Sequence, residues 1–325
     1  MWKQELIKVS DSSQVGEIRR HSQGISQELE YDEVLSGKIS IVVTELATNL
    51  IKHAGGGEIL LSYSGSSFDI LSIDKGPGFD LQECLRDGFS THGSSGSGLG
   101  SIKRNSHYFD IQSDPGKGTV IYVHFRKLVQ GHPELNLGGI CLPYPGEEVS
   151  GDGWTFCRKD DLKLIVADGL GHGLLAHEAS QKALEVFEEY SGLPSMEMMK
   201  YLHQSLRSTR GAAVGIAELS HSKKILSYCS VGNIYATISS PGSNKRCVSY
   251  NGTVGVQLNK YQNLPYPVED DSLIVIASDG LSTHWDLKAY PGIYLRHPFV
   301  VAGVLYRDFS KRTDDVSVIV LRGGK

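Results

Sequence analysis

The sequence predicts an α+β fold in two domains, and three observations lead to this class. In residues 1–127, two helix-type patterns come before four strand-type runs, an order typical of a layer of helices on a sheet. In residues 138–325, many strand-type runs with a few helical stretches fit two sheets with flanking helices better than alternating βαβ units. The length of 325 residues also suggests two domains. The polar stretch 128–137, with a glycine and a proline, is the predicted linker.

The first domain is expected to begin with two helices. Asp11 and the two serines after it can cap the first helix, and the second runs from about Asp32 to Ala54 with apolar residues at helical spacing. Three consecutive glycines end the second helix. The strands of this domain are predicted at 58–63, 68–74, 108–113 and 119–125, the last two joined as a hairpin.

The second domain is expected to be richer in strands. Helices are predicted at 172–190, 195–209 and near 297–309. Strands are predicted at 139–142, 154–158, 162–167, 212–218, 225–230, 235–238, 273–277 and 316–321.

Composition and charge exclude several classes of function. The net charge is −5, without the basic patch or stripe that a nucleic-acid partner requires. The first ten residues contain no apolar stretch of a secretory signal, and no apolar run is expected to span a bilayer. The five cysteines stand singly, which indicates neither a zinc cluster nor a disulfide framework. We therefore expect a cytoplasmic protein with no membrane and no nucleic-acid partner.

One set of residues in the first domain has the chemistry of a nucleotide site. Glu45 and Asn49 lie four residues apart and share a helix face. Asp74 follows a strand and precedes a glycine-containing loop, and a glycine- and serine-rich segment at 93–100 opens a short helix. Such a segment offers backbone N–H groups to phosphate oxygens, an amide can hold Mg²⁺, and a glutamate can act as a base. Each feature alone is weak, and their order in one domain favours ATP binding.

The motifs ELATNLIKHA, DKGPGF and GSGLG resemble the N box and the two glycine boxes of the GHKL (Bergerat) ATP-binding fold. Within that superfamily the stretches DGFSTHGSSGSGLGSIKR and FDIQSDPGKGTVIYV are most similar to the switch kinase of the bacterial stressosome. The resemblance implies an α/β sandwich that uses ATP and Mg²⁺ to phosphorylate Ser or Thr on STAS-domain partners. It implies that Glu45 is the general base and Asn49 the Mg²⁺ ligand. The other nucleotide-binding residues that it implies are Asp74, Gly76, Gly78, Gly96, Gly98, Leu99, Gly100 and Thr119.

A second set of residues predicts a metal centre in the second domain. Two apolar runs end in an acid followed by glycine, at Asp168-Gly169 and at Asp279-Gly280. Asp152 lies between two glycines, and Asp314-Asp315 lies near the C-terminus. One such Asp-Gly is more often a turn, but carboxylates gathered from several strands repel one another unless hard divalent cations lie between them.

The pieces EVSGDGW, VADGLGHG, VGN, NGTVGV, IASDGL and TDDVSVIVL resemble the PP2C-like phosphatases of the SpoIIE type, in the order of that family. The resemblance implies a β-sandwich flanked by helices and two Mn²⁺ or Mg²⁺ ions. Within this type the pieces are similar to those of the stressosome feedback phosphatase, which acts on the same STAS proteins as the switch kinase. No counterpart is evident of the arginine that grips phosphate in eukaryotic relatives. The residues implied in metal binding and catalysis are Asp152, Asp168, Gly169, Asp279 and Asp314, with Asp315 as the alternative to Asp314, and His172 as a proton donor.

Together these readings predict a bifunctional regulator of a partner-switching pathway. Its partners would be STAS-domain proteins, with a downstream regulator as a further candidate. Two alternatives stay open: an N-terminal domain that binds ATP and partners without transferring phosphate, and a phosphatase that acts on a small-molecule phosphate. Retention of Glu45 favours the kinase over the first alternative.

Overall fold

The structure, a computed structural model, describes residues 2–65, 67–80, 97–127 and 136–324. The chain divides into two compact units. The first comprises residues 1–135 and 290–307, and the second comprises residues 136–289 and 308–325. The domain boundaries predicted from the sequence place residues 290–307 with the second domain, whereas the structure groups them with the first unit. Most of the predicted linker lies outside the described residues.

The first unit is built on a five-stranded antiparallel sheet in the order β1-β2-β3-β5-β4. Four of its strands were predicted to within two residues, while β1 was not predicted. The sequence KQELIKV of β1 shows no clean alternation, because it is an edge strand with mostly half-buried side chains. The strands are β1 (Lys3–Val9), β2 (Gly57–Ser64), β3 (Ser67–Ile73), β4 (Tyr108–Asp114) and β5 (Gly118–Arg126).

Both predicted helices of the first unit form, α1 at Ser12–Glu28 and α2 at Glu33–Asn49. Asp11 caps α1 by accepting a hydrogen bond from the Ser13 backbone, and Asp32 caps α2 by accepting from Leu35 N at 2.7 Å. A π-helical turn extends α2 through Ala54 and ends at Gly55, whose φ of 72° suits glycine. These helices bury their apolar faces against the sheet.

The combined helix Glu33–Ala54 has the length and composition of a membrane span, with a mean hydropathy of 1.4. No apolar run of this kind was expected from the sequence. A buried helix in a protein core has the same features. Here the fully buried side chains of Ile39, Val42 and Leu46 belong to the core of the first unit, which accounts for the apolar composition.

The second unit contains two five-stranded sheets, in the orders β13-β10-β9-β8-β7 and β12-β11-β14-β15-β6. Its predicted strands are confirmed, while the short edge strands β12 and β13 were not predicted. The strands are β6 (Leu137–Leu142), β7 (Asp152–Arg158), β8 (Leu162–Gly169), β9 (Ala212–Ser220), β10 (Ile225–Val231), β11 (Tyr235–Ser239), β12 (Asn244–Arg246), β13 (Leu264–Pro267), β14 (Leu273–Ala277) and β15 (Val316–Arg322).

Four further α-helices lie within the described residues, and each is where the sequence predicted a helix. They are α3 (Ser97–Asn105), α4 (Leu174–Glu189), α5 (Ser195–Ser205) and α6 (Pro298–Phe309). In the second unit α4 and α5 pack on the sheet that contains β8 and β9, with buried Leu184, Phe187 and Leu202 facing Ile165 and Val214. In α6, the residues through Arg307 belong to the first unit.

Residues 290–307 pack on the face of the first sheet opposite α1 and α2. On this face Leu71 and Val120 are fully buried, and both alternate with the residues that face the helices. Gly303 of α6 lies against them, since a Cβ added there would be 2.8 Å from a methyl carbon of each.

Polar side chains on this face of the sheet also have partners in 290–307. Asp110 Oδ2 accepts a hydrogen bond from His297 N at 2.6 Å, and Gln112 Oε1 accepts from Arg296 Nε at 3.2 Å. The ring of Tyr122 stacks on that of His297 with centroids 4.5 Å apart. Buried Asp110 and Gln112 of β4 therefore have hydrogen-bond partners in a segment distant in sequence.

Candidate functional site

Asp74 directly follows β3 and is held by the neighbouring backbone. Its Oδ1 accepts hydrogen bonds from Gly76 N at 2.8 Å and Thr119 N at 3.1 Å. Burial raises the pKa of Asp74, while these two donors and the charge of Arg307 oppose the rise. These hydrogen bonds fix the orientation of the carboxylate. A fixed orientation is required of a group that accepts a hydrogen bond from a nucleobase.

The loop after Asp74 and the β4–β5 turn approach each other at glycines. A Cβ on Gly78, which has a φ of 61°, would lie 2.1 Å from Asp114 O, and one on Gly118 would lie 2.1 Å from Asp74 O. A Cβ on Gly76 would lie 2.7 Å from Ala54 Cα. Side chains at these positions would separate the two loops, so the glycines set the shape of the site around Asp74.

Glu45 and Asn49 meet the start of α3. A Cβ on Gly98 would be 3.4 Å from Glu45 Oε2 and 3.6 Å from Asn49 Oδ1. Leu99 packs against the core of the first unit, which anchors α3, and Arg104 folds over Gly100 with its Nη1 3.0 Å from an added Cβ. The structure thus brings together predicted residues of two separate motifs. Gly96 lies outside the described residues.

Thr119 contacts the residues around Asp74 through both its backbone N–H and its hydroxyl. Its Oγ1 lies 2.9 Å from Ser113 Oγ, and Ser113 Oγ in turn accepts a hydrogen bond from Phe79 N at 3.0 Å. Ser113 was not among the predicted residues. Its position in an alternating strand gave no signal of this bridge between the hairpin and the loop after Asp74.

In the second unit, strand register places two of the predicted acids opposite each other. Asp152 of β7 pairs with Asp168 of β8, and Gly169 N donates to Gly151 O at 3.0 Å. Burial, together with the charges of Asp279 and Asp314, raises the pKa of Asp168 to about 7. Burial and the charge of Asp168 raise the pKa of Asp152 as well. When both carboxyl groups are ionised, they repel each other, and a nearby positive charge would offset this repulsion.

The third predicted acid, Asp279, is oriented by a residue that the sequence analysis did not assign. Asn233 Nδ2 donates to Asp279 Oδ2 at 2.9 Å. The preceding Ser278 donates its hydroxyl proton to Asp152 Oδ2 at 2.6 Å and accepts from Ser317 N at 2.9 Å. Asn233 belongs to the quoted VGN motif, which was the available signal, whereas nothing in the sequence marked Ser278.

The two C-terminal acids have different surroundings. Asp315 is buried, and its Oδ1 accepts from Tyr144 N at 2.8 Å. A Cβ on Gly280 would be 1.9 Å from Asp315 O, so this backbone lies directly against the tip after β14. Asp314 is half-buried and accepts from Asp315 N at 3.0 Å. The charges of Asp314 and Asp315 both raise the pKa of Asp168, so both acids lie near it, and the choice of Asp314 as the ligand stays a prediction.

His172 lies on the exposed loop between Asp168 and α4. Its Nδ1 is 2.9 Å from Glu147 Oε1, and its ring stacks on Tyr144 with centroids 4.9 Å apart. Glu147 and Tyr144 were not predicted. Together they fix the ring of the histidine.

The donor set fits hard divalent cations. Among the residues that the structure describes, no three acidic, histidine or cysteine side chains form a ready ligand group. Several carboxylate oxygens are engaged instead by Asn233, Ser278 and the backbone of Tyr144. Asp152 Oδ1, however, is buried and has no hydrogen-bond partner among the described residues. A buried, unpaired carboxylate oxygen beside other acids is what a Mg²⁺ or Mn²⁺ ion would satisfy.

Two family models match separate parts of the chain. Residues 9–125 match the histidine kinase-like ATPase domain, and residues 158–288 match stage II sporulation protein E (SpoIIE). The chain is 31% identical over 140 residues to the phosphoserine phosphatase RsbX of Bacillus subtilis (strain 168), covering 42% of this chain and 70% of RsbX. It is 30% identical over 123 residues to the serine/threonine-protein kinase RsbT of the same organism, covering 36% of this chain and 92% of RsbT.

The chain belongs to both families. Its N-terminal part is a GHKL-like ATPase domain and its C-terminal part is a PP2C-like phosphatase domain. Both parts of the predicted fold class are thereby confirmed.

Two solved structures are each similar to a little more than half of the chain. A chain from work on the bacterial stressosome as a modular system has a TM-score of 0.53 and 26% identity, covering 58% of this chain and 100% of that one. RsbX in complex with magnesium has a TM-score of 0.50 and 25% identity, covering 57% of this chain and 92% of RsbX.

Proposed function

We propose that the chain is a bifunctional, cytoplasmic regulator of a bacterial partner-switching pathway of the stressosome type. The ATPase domain transfers phosphate from ATP to Ser or Thr of a STAS-domain protein. The phosphatase domain removes phosphate from Ser/Thr phosphoproteins with two Mn²⁺ or Mg²⁺ ions. The observation that supports this proposal is one of proximity within each domain. Glu45, Asn49 and Gly98 lie close together in the first, and Asp168 lies close to Asp152 and Asp279 in the second.

In the ATPase domain, Asp74 accepts a hydrogen bond from the exocyclic amine of adenine, and the backbone donors of Gly76 and Thr119 keep the carboxylate in place. Asn49 is the residue that holds Mg²⁺, which when bound would neutralise phosphate charge. Glu45 accepts the proton of the attacking hydroxyl, as the hydroxyl oxygen bonds to the γ-phosphorus and ADP departs. Gly98 lies beside Glu45 and Asn49, where a bulkier residue would crowd them.

In the phosphatase domain, the residues that would hold the ions are Asp168, Gly169 through its carbonyl, Asp279 and Asp314, with Asp152 directly or through water. Two divalent ions, when bound, would supply a water of lowered pKa. Asn233 orients Asp279. His172 gives a proton to the departing serine or threonine oxygen. Because Glu147 interacts with Nδ1 of the ring, the proton is donated from Nε2.

The experiment that tests the whole proposal is incubation of the full chain with labelled ATP and a purified STAS-domain protein, with and without Mn²⁺. Label should appear on the STAS protein and, once Mn²⁺ activates the phosphatase domain, fall again. If no label appears on the STAS protein in any condition while ATP still binds, the alternative of an ATP- and partner-binding regulatory module is correct.

Replacing Asp74 with Asn should weaken ATP binding by about 100-fold or more, since the amide presents a donor to the adenine amine where the carboxylate presents an acceptor. Isothermal titration calorimetry on the full chain measures this. Asp11→Asn is the control, because Asn caps a helix as well as Asp does and the affinity should stay unchanged. Parental affinity in Asp74→Asn would show that adenine is bound elsewhere.

The surface around the metal centre favours a protein substrate over a small phosphate. Leu170, Leu174 and Leu175 follow Asp168 and are 56%, 64% and 49% exposed. Exposed apolar side chains grouped beside a catalytic site are typical of a surface that a protein partner covers.

Replacing Leu174 and Leu175 with Ser should therefore lower kcat/KM for a phosphoprotein by about 10-fold, through lost apolar burial. Hydrolysis of p-nitrophenyl phosphate, which is too small to reach this surface, should be unchanged. Leu295→Ser, at another exposed leucine, is the control. Equal losses on both substrates would contradict docking at the leucines.

A further inference from the structure

Arg210 is placed by strand pairing at the metal-binding edge of the phosphatase domain. The β8–β9 register sets Asp168 opposite Ala213 and Gly169 opposite Ala212. The pairing continues past the strands, because Leu170 N donates to Gly211 O at 3.0 Å. Arg210 therefore lies beside the loop that follows Asp168, although Arg210 and Asp168 are 42 positions apart in the sequence.

The guanidinium of Arg210 reaches this loop. A Cβ added to Gly171 would be 3.1 Å from Arg210 Nη1. The left-handed φ of 89° at Gly171 favours glycine there, so the loop leaves room for the arginine head group.

Arg210 has no hydrogen bond or ion pair within the part of the chain that the structure describes, and its side chain is exposed. The carboxylates of the same edge are engaged by Asn233, Ser278 and backbone donors, as described above. An exposed arginine beside the loop that follows Asp168, without a partner in the described part of the chain, keeps its donors available for an anion from outside. The fork of N–H groups matches two oxygens of a phosphate.

We propose that Arg210 binds the phosphate group of the substrate, donating Nη and Nε hydrogens to two of its non-bridging oxygens. This inference rests on the proposed phosphatase function. It assigns the phosphate-binding residue that the sequence left open. Arg210 would hold the phosphomonoester dianion at the edge of the acidic site and offset the repulsion between that dianion and the acids.

The test compares Arg210→Ala and Arg210→Lys with Arg207→Ala in the full chain. Arg207 is an exposed arginine in the turn just before Arg210, which makes it a matched control. Hydrolysis of p-nitrophenyl phosphate is measured at saturating Mn²⁺, with inorganic phosphate as a competitive inhibitor. Loss of one bidentate contact to a charged group is expected to weaken binding of that group by about 10- to 100-fold.

Arg210→Ala should raise both KM and the phosphate inhibition constant by about 10- to 100-fold. The Mn²⁺ concentration for half-maximal activity should stay unchanged, as expected of a residue that contacts phosphate and not metal. Arg210→Lys should fall between Ala and the parent, because it keeps the charge and loses the fork.

Two outcomes overturn the inference: an inhibition constant for phosphate in Arg210→Ala equal to that in Arg207→Ala, or a changed Mn²⁺ requirement with unchanged phosphate inhibition. A parental chain without any metal-dependent hydrolysis would instead contradict the proposed phosphatase function itself. Circular dichroism of the exposed-site variants checks that each is folded.

Discussion

Asp279→Asn is expected to lower the metal-dependent phosphatase activity of the chain by more than about 100-fold, since loss of even an outer partner of a metal ligand costs about 10- to 100-fold. The substitution removes a charge that faces Asp168 and one candidate ligand oxygen. The amide oxygen can still accept the hydrogen bond from Asn233, so the local structure should persist. Hydrolysis of p-nitrophenyl phosphate and of a phosphoprotein, at increasing Mn²⁺, measures the loss.

The control for this change is Asp271→Asn, at an exposed acid just before the other end of β14, which should retain full activity. Circular dichroism should show the same fold for both variants. Parental activity that persists in excess EDTA would contradict the metal mechanism altogether. Parental activity in Asp279→Asn, with the usual metal requirement, would show that the other carboxylates suffice and that the ligand set is wrong at this position.

Two acids of the candidate metal centre were predicted because each stands at the end of an apolar run. A buried strand that stops in Asp-Gly has a recognisable pattern, and Asp168 and Asp279 both follow it. The direct pairing of Asp152 with Asp168 depends on strand register, which the pattern alone does not specify. Ser278 joins Asp152 to the backbone of β15 through contacts between residues more than 35 positions apart, so no local pattern marks it.

The packing of residues 290–307 on the first unit also could not be predicted from the sequence. The helix near 297–309 was predicted from its apolar residues, but a run of apolar residues does not name the surface it covers. That surface includes Asp110 and Gln112, which are buried and have hydrogen-bond partners in this segment. Because the segment follows the second domain in the sequence, it was predicted to belong to that domain. Its contacts with residues distant in sequence group it with the first unit.

Glu45→Ala is expected to abolish phosphorylation of the STAS-domain partner while leaving ATP affinity within about threefold. General-base catalysis contributes about 10²- to 10⁴-fold, so transfer should fall by that factor. Glu45 stands beside Asn49 and Gly98, and it is Asn49 that is assigned to Mg²⁺. Asn49→Ala should therefore lose nucleotide binding, and the two variants separate the base from the binding residues.

The measurement requires a background in which the product survives. In the parental chain the phosphatase domain would remove the label that the ATPase domain adds, so transfer is followed in Asp279→Asn, where phosphoprotein should accumulate. Glu17→Ala, at an exposed glutamate of α1, is the matched control and should transfer phosphate as the background does. If the Glu45→Ala double variant phosphorylates the partner at the rate of the control, another group is the base. If neither transfers phosphate although ATP and the partner both bind, the ATPase domain is a regulatory module. In that case Glu45 would have no chemical role, and the phosphatase domain would be the chain's enzymatic part.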